Sequence, residues 1–349
     1  MHGEYKVPNG KLLVVDLEIN DGVISFCQLA GDFFLEPDEA LETINRSIVG
    51  LVATSSASEV ASAIAEALGD EVVMMGFSPE SVGTVVRRAI TGAKSFTDYT
   101  WDYLAPEPLD ALSQMALDQV LAEEVAAGRR GPTLRIWEWT GPAVVIGSFQ
   151  SLRNEVDLDK AKKYGMQVVR RISGGGAMFM EEGSAITYSL YVPAELVAGM
   201  SFQESYAFLD DWAVQALRGL GIDADYKPLN DIVSSVGKIG GAAQKRLGGG
   251  SVLHHVTMAY DMDGERMVEV LRIGREKMSD KGVVSANKRV DPLKLHTGRS
   301  REDVVESLVD FFRKSYGLNP TKIRKDEIER VDSLVIEKFS TADWLHRVP

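Results

Sequence analysis

Three glycine-rich stretches of this sequence contain the residues best suited to chemistry. The first follows the strand-like run QVV and covers residues 170–177 (RRISGGGA). Consecutive glycines let a backbone approach a ligand and turn its N–H groups toward an anion, and arginine supplies charge-assisted donors for carboxylate or phosphate. The spacing matches neither a Walker A nor a dinucleotide-binding motif. The pattern therefore indicates an anion site, with a tight glycine hairpin beside a solvated arginine pair as the alternative.

The second stretch combines Asn230 and Asp231 with residues 237–244 (GKIGGAAQ). Lys238 is flanked by glycine and small residues, which suits a lysine held against a bulky ligand. It could neutralise a carboxylate or phosphate as a point charge. Residues 232–260 contain no Asp or Glu, in a chain with 51 acidic and 38 basic residues and a net charge of -13. We expect anionic groups to bind here, although a basic glycine-rich surface loop would have the same pattern.

The third stretch, residues 248–258, contains two adjacent histidines, His254 and His255. Neighbouring residues on a strand point to opposite faces, so the two rings cannot share one metal ion without distortion. The absence of HExxH spacing also disfavours a zinc site. We expect one ring to pack inward and form hydrogen bonds, and the other to lie near a pocket or in solvent.

Two units of secondary structure must position these three stretches. Strands and helices alternate only partly along the chain, which predicts a mixed α/β or α+β fold. Residues 1–93 form a small unit of strands followed by helices, residues 92–100 a linker, and residues 100–349 a larger unit. In the first unit the pattern predicts strands over 11–19 and 23–29, a turn at 20–22, and helices ending at Ile48, Leu68 and Ile90. In the second it predicts helices over 109–127, 157–164, 204–220, 264–273 and 301–316, and strands over 133–139, 143–146, 166–172, 184–192 and 252–261.

Composition limits the class of protein. A chain of 349 residues is long enough for roughly two domains. The single cysteine, Cys27, excludes an intrachain disulfide framework and a thiolate metal cluster. No signal peptide and no apolar run of about 20 residues is present, so we expect a soluble cytoplasmic protein that does not bind membranes. The acidic balance argues against general nucleic-acid binding.

The order of these motifs resembles the lipoate/octanoate-protein ligase family, whose members are related to biotin protein ligases. The resemblance covers residues 100–349 and includes RRISGGGAMF, NDI, GKIGGAAQ and VLHHVTM in this order. It implies a ligase-like catalytic domain with a mixed sheet flanked by helices. Residues 1–93 resemble the small accessory domain of lipoate ligases, which usually follows the catalytic domain and here precedes it. That domain assists adenylation in the family, so we expect its deletion to impair adenylation more than folding.

The resemblance implies an ATP-dependent reaction in two steps. The carboxylate of lipoate, or of octanoate, attacks the α-phosphate of ATP in the presence of Mg²⁺ and releases pyrophosphate. A lysine of an acceptor lipoyl domain then attacks the acyl-AMP. The acceptors implied are lipoyl domains of 2-oxoacid dehydrogenase acyltransferase subunits and the glycine-cleavage H protein.

Site residues follow from the same resemblance. Lys238 is the catalytic residue, between the lipoyl carboxyl group and the phosphate. Asp231, as a possible Mg²⁺ ligand, and Asn230 position the nucleotide. The other residues expected to bind substrate or nucleotide are Arg171, Ser173, Gly174, Gly175, Gly176, Gly240 and Ala242. Trp139, Val145 and the strand after the glycines are expected to form walls of an acyl tunnel.

Two features leave other functions open. After GGGA the family usually has an aromatic residue, His, Asp, any residue, Gly and Asn, whereas residues 179–184 here are FMEEGS. Met180, Glu181 and Ser184 thus replace polar family residues, which would suit altered specificity or a non-catalytic acyl- or nucleotide-binding homologue.

An ATP-independent octanoyl or lipoyl transferase of the same fold is a further alternative. Its known types use a cysteine of the catalytic domain, whereas Cys27 lies in the accessory unit, where a small core residue is expected. Biotin ligation is disfavoured because the biotin loop GRGRxGRxW is absent.

Overall fold

The computed structural model describes residues 1–69, 71–272 and 290–348. These residues divide into two compact units. The first contains Met1–Asp98 and Ala194–Asp211, and the second contains Tyr99–Pro193 and Trp212–Pro349. The segment Ala194–Asp211 therefore packs with the N-terminal residues although it lies within the predicted catalytic range of the sequence. The assignment of residues 1–93 and 100–349 as accessory and catalytic domains remains a prediction.

Unit 1 combines a three-stranded antiparallel sheet of order β1-β2-β3 with three helices and a β4-β5 pair. Its strands are β1 (His2–Lys6), β2 (Leu12–Asn20), β3 (Val23–Gly31), β4 (Phe34–Glu36) and β5 (Val73–Met75). Its helices are α1 (Ala40–Ile48), α2 (Ala57–Leu68) and α3 (Pro79–Thr91), followed by short 3₁₀ turns at Phe96–Asp98 and Ala194–Val197.

Local sequence signals explain the first unit. The predicted turn joins β2 to β3, with positive φ at Asp21 (52°) and Gly22 (78°). The α3 helix begins after Ser78, whose side chain accepts from the backbone N–H of Ser81, and has Pro79 at its first turn. Cys27 is buried on β3, which confirms the core role expected for it. Burial raises the pKa of its thiol to about 12.

Unit 2 contains the remaining strands and most of the helices. Its strands are β6 (Asp102–Leu104), β7 (Pro108–Leu109), β8 (Thr133–Ile136), β9 (Glu138–Trp139), β10 (Ala143–Ile146), β11 (Gln167–Arg170), β12 (Met178–Met180), β13 (Ala185–Pro193), β14 (Asp225–Lys227), β15 (Asp231–Val233), β16 (Lys238–Leu247), β17 (Ser251–Ala259) and β18 (Asn319–Thr321). Its helices are α4 (Ala111–Ala126), α5 (Leu152–Glu155), α6 (Leu158–Lys163), the second part of α7 (Phe202–Gly219), α8 (Gly264–Val270), α9 (Leu293–Thr297), α10 (Arg301–Tyr316), α11 (Lys325–Leu334), a π-helical turn at Val335–Phe339 and α12 (Ala342–Leu345).

An eight-stranded mixed sheet forms the centre of unit 2, in the order β14-β15-β16-β17-β13-β8-β6-β18. The β18-β6 and β6-β8 pairs are parallel and the other neighbours are antiparallel. A second sheet has the order β11-β10-β12, with one parallel and one antiparallel pair. The predicted mixed fold is confirmed, since both sheets combine the two pairings.

The α4 helix lies within the main core of unit 2, and most of its residues are buried. It begins at Asp110, whose carboxylate accepts from the backbone N–H groups of Leu112 and Ser113. Three polar residues, Gln114, Asp118 and Glu124, are nevertheless buried on it. Buried polar groups of this kind require partners, and the partners of Asp118 lead to the candidate site described below.

Several predicted elements differ in detail from the observed ones. The lysine stretch, for which a surface loop was the alternative interpretation, is the ten-residue strand β16, with Lys238 as its first residue. The helix predicted over 264–273 ends at Val270, and residue 273 lies outside the described residues. The α11 helix was not predicted. None of the helices in the described part of the chain is both long and apolar enough to cross a membrane.

Candidate active site

A cavity of about 280 Å³ lies in unit 2 where β16 and β17 meet the glycine-rich segment before β12. All three predicted motifs contribute to its walls, and residues after β17 contribute to the rest. Its lining residues are Arg171, Gly176, Ala177, Met178, Phe179, Asn230, Lys238, Ile239, Gly240, Gly241, Ala242, Ala243, His255, Thr257, Ala259, Met262, Met267, Leu271 and Val290.

The cavity brings together six of the ten residues predicted from the sequence. They are Arg171, Gly176, Asn230, Lys238, Gly240 and Ala242. Ser173, Gly174, Gly175 and Asp231 lie beside it in sequence or through direct contacts. The roles of all ten remain proposals, since they concern ligands.

Arg171 organises the glycine cradle, the name used here for residues 173–176. Its guanidinium donates to the carbonyl oxygens of Gly174 and Gly176, to that of Val145, and to Ser173 Oγ at 3.0 Å. These bonds draw carbonyl oxygens of the cradle toward the buried guanidinium. Arg171 thus holds the backbone in place, a role that differs from the direct phosphate contact implied by the resemblance.

Arg170, the other member of the pair, is completely buried. Its guanidinium donates to the carbonyl oxygens of Gly147, Gln150 and Leu345 at 2.9, 2.6 and 3.0 Å. It therefore fastens the turn after β10 and the C-terminal segment to β11. A solvated arginine pair, the alternative interpretation of this motif, is wrong for both residues because Arg171 is buried too.

Gly147 packs directly beneath the cradle. A Cβ atom added there would lie 2.3 Å from the carbonyl oxygen of Gly175. Gly175 itself has φ of +92°, which L side chains rarely adopt. The cradle geometry thus depends on the absence of a side chain at both positions.

We expect Gly147→Ala to displace the cradle and lower the activity of the protein at least tenfold, because a displacement of about 1 Å at a catalytic site can cost roughly 100-fold. The measurement is the initial rate of the acyl-adenylate formation that the sequence resemblance implies. Gly141→Ala is the matched control, since a Cβ atom there would meet nothing within 4 Å. Equal rates for the two variants would contradict the prediction.

Lys238 lies at the start of β16 and forms an ion pair with Asp231, with 2.6 Å between Nζ and Oδ1. Both side chains are partly exposed, at 45% and 33%. The backbone must pass closely here, because a Cβ atom on Gly240 would lie 2.7 Å from the carbonyl oxygen of Thr257. Small residues beside Lys238 therefore let β16 pack against β17 and leave the ammonium group at the cavity.

Asn230 is held to β16 by two hydrogen bonds with Ala242. Its side-chain amide donates to the carbonyl oxygen of Ala242 at 2.6 Å, and the Ala242 N–H donates to its backbone oxygen at 2.8 Å. The predicted NDI and GKIGGAAQ motifs are thus joined in one strand pair. This arrangement fixes Asp231 opposite Gly241 in the β15-β16 register.

Asp231 is the carboxylate predicted to bind Mg²⁺. No group of three or more His, Cys, Asp or Glu suited to a metal ion occurs among residues 1–69, 71–272 and 290–348. Mg²⁺ commonly keeps several waters and binds one or two carboxylates together with substrate phosphates. A single carboxylate beside the nucleotide site that the resemblance implies fits that mode, in which Asp231 would share its charge with Lys238.

A cluster of polar residues that was not predicted from the sequence fixes the segment around Lys238. Asp291 is buried, and its Oδ2 atom accepts hydrogen bonds from Ser234 Oγ and, at 2.6 Å, from His296 Nε2. Ser234 in turn accepts from the backbone N–H of Gly237 at 3.2 Å, and the Asp291 N–H donates to the carbonyl oxygen of Lys238 at 2.7 Å. Asp291 therefore fixes the turn before Lys238 through Ser234, and it fixes the backbone of Lys238 through its own N–H group.

We expect Asp291→Asn to lower the rate of the acyl-adenylate formation that the resemblance implies by about tenfold, because a neutral amide oxygen accepts the two hydrogen bonds more weakly than a carboxylate and holds the segment before Lys238 less firmly. The rate should be measured with saturating substrates. Asp261→Asn is the control, because Asp261 is exposed and pairs only with Lys294 among the contacts described. A rate for Asp291→Asn equal to that of the control would refute this positioning role.

His255 packs inward, lines the cavity and forms hydrogen bonds on both ring nitrogens, as expected for one of the pair. His254 is completely buried and does not line the cavity, so the expectation that the second ring lies near a pocket or in solvent is wrong. Nε2 lies 2.7 Å from Ser173 Oγ, and Nδ1 lies 2.7 Å from Asp118 Oδ2. Asp118 was not identified from the sequence. Its signal is an acidic residue in the middle of the apolar run MALDQVL, where it must lie in the core.

Part of the cavity lining is apolar and suits a hydrocarbon chain. Met178 and Phe179 line it, as expected for the strand after the glycines, together with Met262, Met267 and Leu271. Trp139 and Val145, the other expected walls, are not among the lining residues. Both belong instead to the buried core around α4, so this part of the prediction is wrong.

The residues that depart from the family pattern lie behind the cavity. Met180 is completely buried in the core around α4. Glu181 forms an ion pair with Arg266, and its backbone N–H donates to Ser184 Oγ at 3.0 Å. The Ser184 hydroxyl donates back to the Glu181 carbonyl oxygen. These replacements therefore build a turn and a core contact, and none of the three residues lines the cavity.

Comparison with known proteins is consistent with this geometry. The lipoyl protein ligase A/B catalytic domain family matches residues 110–313. An octanoyltransferase LipM from Moorella thermoacetica is 28% identical over 274 residues, which are 71% of this chain and 98% of that protein. A probable lipoate-protein ligase A from Mycoplasma pneumoniae is 28% identical over 230 residues, which are 66% of each chain.

Solved structures of lipoate-protein ligases are also similar to this chain. A bipartite lipoate protein ligase from Thermoplasma acidophilum, studied with its E2 lipoyl domain, has a TM-score of 0.64 and 27% identity, and the match covers 72% of this chain and 98% of that one. A lipoate-protein ligase A bound with ATP has a TM-score of 0.61 and 25% identity, over 72% of this chain and 99% of that one.

Proposed function

Because this chain belongs to the lipoyl protein ligase A/B catalytic domain family, we propose that it is an ATP-dependent lipoate-protein ligase. It activates lipoate or octanoate as the acyl-AMP and transfers the acyl group to a lysine of an acceptor lipoyl domain. The observation that carries the proposal is that Lys238, Arg171 and Gly176 of the glycine cradle line one cavity together with apolar residues, while residues 99–349 contain no cysteine.

In the first step the cavity must bind three charged groups: a carboxylate, a triphosphate and the Mg²⁺ that accompanies it. The Lys238 ammonium offsets negative charge as the carboxylate oxygen bonds to the α-phosphate and pyrophosphate leaves. The backbone N–H groups of the cradle orient the phosphate and the acyl carbonyl. Mg²⁺, when bound, supplies further neutralisation of the phosphate oxygens, with Asp231 and Asn230 beside the nucleotide.

In the second step the amine of the acceptor lysine attacks the acyl carbonyl carbon, the amide forms and AMP leaves. The apolar part of the cavity lining, which includes Phe179 and Met267, holds the acyl chain and keeps water from the anhydride. Lys238 again stabilises the departing phosphate oxygen. The lipoyl domain as acceptor is supported by the Thermoplasma acidophilum ligase, which is paired with an E2 lipoyl domain. Acceptors of the glycine-cleavage H type belong to the same proposal.

A second candidate is an ATP-independent octanoyltransferase, because several curated relatives carry that name. The thioester route of the known types requires a cysteine nucleophile in the catalytic domain. The one thiol of this chain, Cys27, is buried in unit 1, and burial raises its pKa to about 12. Since the thiolate is the nucleophile, this environment disfavours the transferase route.

One assay separates the two candidates. The protein is incubated with an apo lipoyl domain and either lipoate, ATP and Mg²⁺ or an octanoyl thioester carrier without ATP, and acylation is followed by mass spectrometry together with pyrophosphate release. Ligation requires pyrophosphate release and an acceptor heavier by one lipoyl group. Acylation only from the thioester would replace the ligase proposal with the transferase.

We also propose that residues 1–93 are the accessory domain of the ligase and assist its first step. The structure changes what their deletion should do. Arg88 donates to the carbonyl oxygen of Leu196 at 3.0 Å, and Tyr5 packs against Phe208 with 6.3 Å between ring centroids. Both contacts lie within unit 1, so removing residues 1–93 exposes the apolar residues of 194–211.

Deletion of residues 1–93 is therefore expected to lower the midpoint of thermal unfolding by several degrees and to impair adenylation, because buried apolar area is lost. Calorimetry and pyrophosphate release measure the two effects. Unchanged adenylation in the truncated protein would refute the accessory role. An unchanged unfolding midpoint would refute the packing argument alone.

A further inference from the structure

A continuous chain of hydrogen bonds links the core helix α4 to the glycine cradle. Asp118 Oδ2 lies 2.7 Å from His255 Nδ1, His255 Nε2 lies 2.7 Å from Ser173 Oγ, and Arg171 Nε donates to Ser173 Oγ at 3.0 Å. The four residues come from α4, from β17 and from the segment after β11, and all four are buried. Nothing in the proposed reaction has so far required Asp118 or His255.

The direction of donation along this chain follows from the chemistry of its two ends. A carboxylate only accepts, so His255 Nδ1 must carry the proton given to Asp118. With neutral imidazole, Nε2 is then an acceptor and takes the hydroxyl hydrogen of Ser173. Arginine only donates, so Ser173 Oγ accepts from Arg171. Every hydrogen bond thus runs from the cradle toward Asp118.

We infer that Asp118 and His255 are positioning residues that fix the Ser173 hydroxyl and, through it, the Arg171 guanidinium and the cradle. The inference rests on the proposed function, since it gives the cradle the task of orienting the acyl-adenylate. His255 acts as an acceptor at Nε2 and Asp118 selects the tautomer that provides it. Neither residue needs to contact substrate.

Burial is the main reason why the surroundings of His255 lower its pKa and favour its neutral form. Burial lowers the pKa of His255, and the Asp118 carboxylate opposes this effect. Arg171 of the cradle and the adjacent His254 lower the pKa further. Asp118 is itself engaged by Ser189 and Tyr191 of β13, whose hydroxyls donate to Oδ1, and by Arg135 of β8 at 3.6 Å.

Protonation of His255 would change the cradle in a defined way. Nε2 would become a donor, so the Ser173 hydroxyl would lose its acceptor and turn. Ser173 Oγ would then face two cationic donors, His255 and Arg171, at hydrogen-bond distance. The cradle should therefore lose its fixed geometry as pH falls through the lowered pKa of His255, below the ordinary value of about 6.5.

Two measurements on the full chain test this inference. Nitrogen-15 NMR of the histidine ring reports the tautomer without any substrate, and we expect Nδ1-protonated neutral imidazole at pH 7. The second measurement compares His255→Gln, whose amide oxygen can replace Nε2 as an acceptor, with His255→Asn, which is too short to reach Ser173. Acyl-adenylate formation from lipoate and ATP should persist within about fivefold in the Gln variant and fall at least 50-fold in the Asn variant.

The pH profile provides the readout that a merely structural histidine would not affect. Wild type should lose activity on acidification with one protonation that the Gln variant lacks. His254→Gln is the matched control, because His254 is buried on the opposite face of the same strand and does not line the cavity. It should keep the wild-type profile, and thermal unfolding checks that each variant is folded.

Outcomes for the two proposals are distinct. A wild-type protein that releases no pyrophosphate overturns the ligase proposal and this inference with it. An active wild type with Nε2-protonated or doubly protonated His255 at pH 7 overturns the inference alone. Equal losses in the Gln and Asn variants, or an unchanged pH profile in the Gln variant, would do the same.

Discussion

Replacing Lys238 by alanine is expected to lower acyl-adenylate formation by roughly 100- to 1,000-fold, the cost typical of removing one group that stabilises developing charge. The midpoint of thermal unfolding should change by less than about 2 °C. Lys238 is partly exposed and lies outside the apolar cores of unit 2. Its ion pair with Asp231 is solvent-accessible, and such pairs contribute little to stability.

Isotope exchange between pyrophosphate and ATP measures this loss directly, because it requires only the first step. Lys245→Ala is a matched control, since Lys245 lies on the same strand and does not line the cavity. A loss of exchange in both variants would mean that β16 is merely disturbed. A fully active Lys238→Ala would remove the main support for the ligase assignment.

The glycine-rich motifs could be located from the sequence because their local requirements are strong. Three consecutive glycines after two arginines, and a lysine among small residues, restrict which backbones and ligands are possible. The acid-free stretch 232–260 was also informative, since β16 and β17 come from it and form two walls of the cavity. The expected anionic ligands would meet no carboxylate from either strand.

Other parts of the site depend on contacts between residues far apart in the chain. Asp118 and His255 are 137 positions apart, and Ser234 and Asp291 are 57 apart. No local pattern specifies such pairs, although the single acid in an apolar helical run shows that Asp118 must find a partner. For the same reason the sequence did not predict that unit 1 consists of two segments. Ala194–Asp211 follows β13 in sequence but packs with residues 1–98.

Arg171 offers the sharpest test of how the cradle works. If its positive charge alone binds phosphate, Arg171→Lys should retain most activity and Arg171→Ala should lose it. The structure predicts a different result, because the guanidinium donates to the carbonyl oxygens of Val145, Gly174 and Gly176 and to Ser173 Oγ. Lysine has a single nitrogen and cannot reproduce this planar set of donors.

Both Arg171 variants are therefore expected to lose at least about 100-fold in acyl-adenylate formation. Both should also lose at least about 2 kcal/mol in the free energy of unfolding, since the buried Val145 carbonyl oxygen and Ser173 Oγ lose the guanidinium as a donor. Urea denaturation and pyrophosphate exchange measure the two losses. A stable, active Arg171→Lys would show that the charge reaches the ligand directly. Joint loss of stability and activity would show that the arginine serves the reaction by shaping the backbone that binds the phosphate.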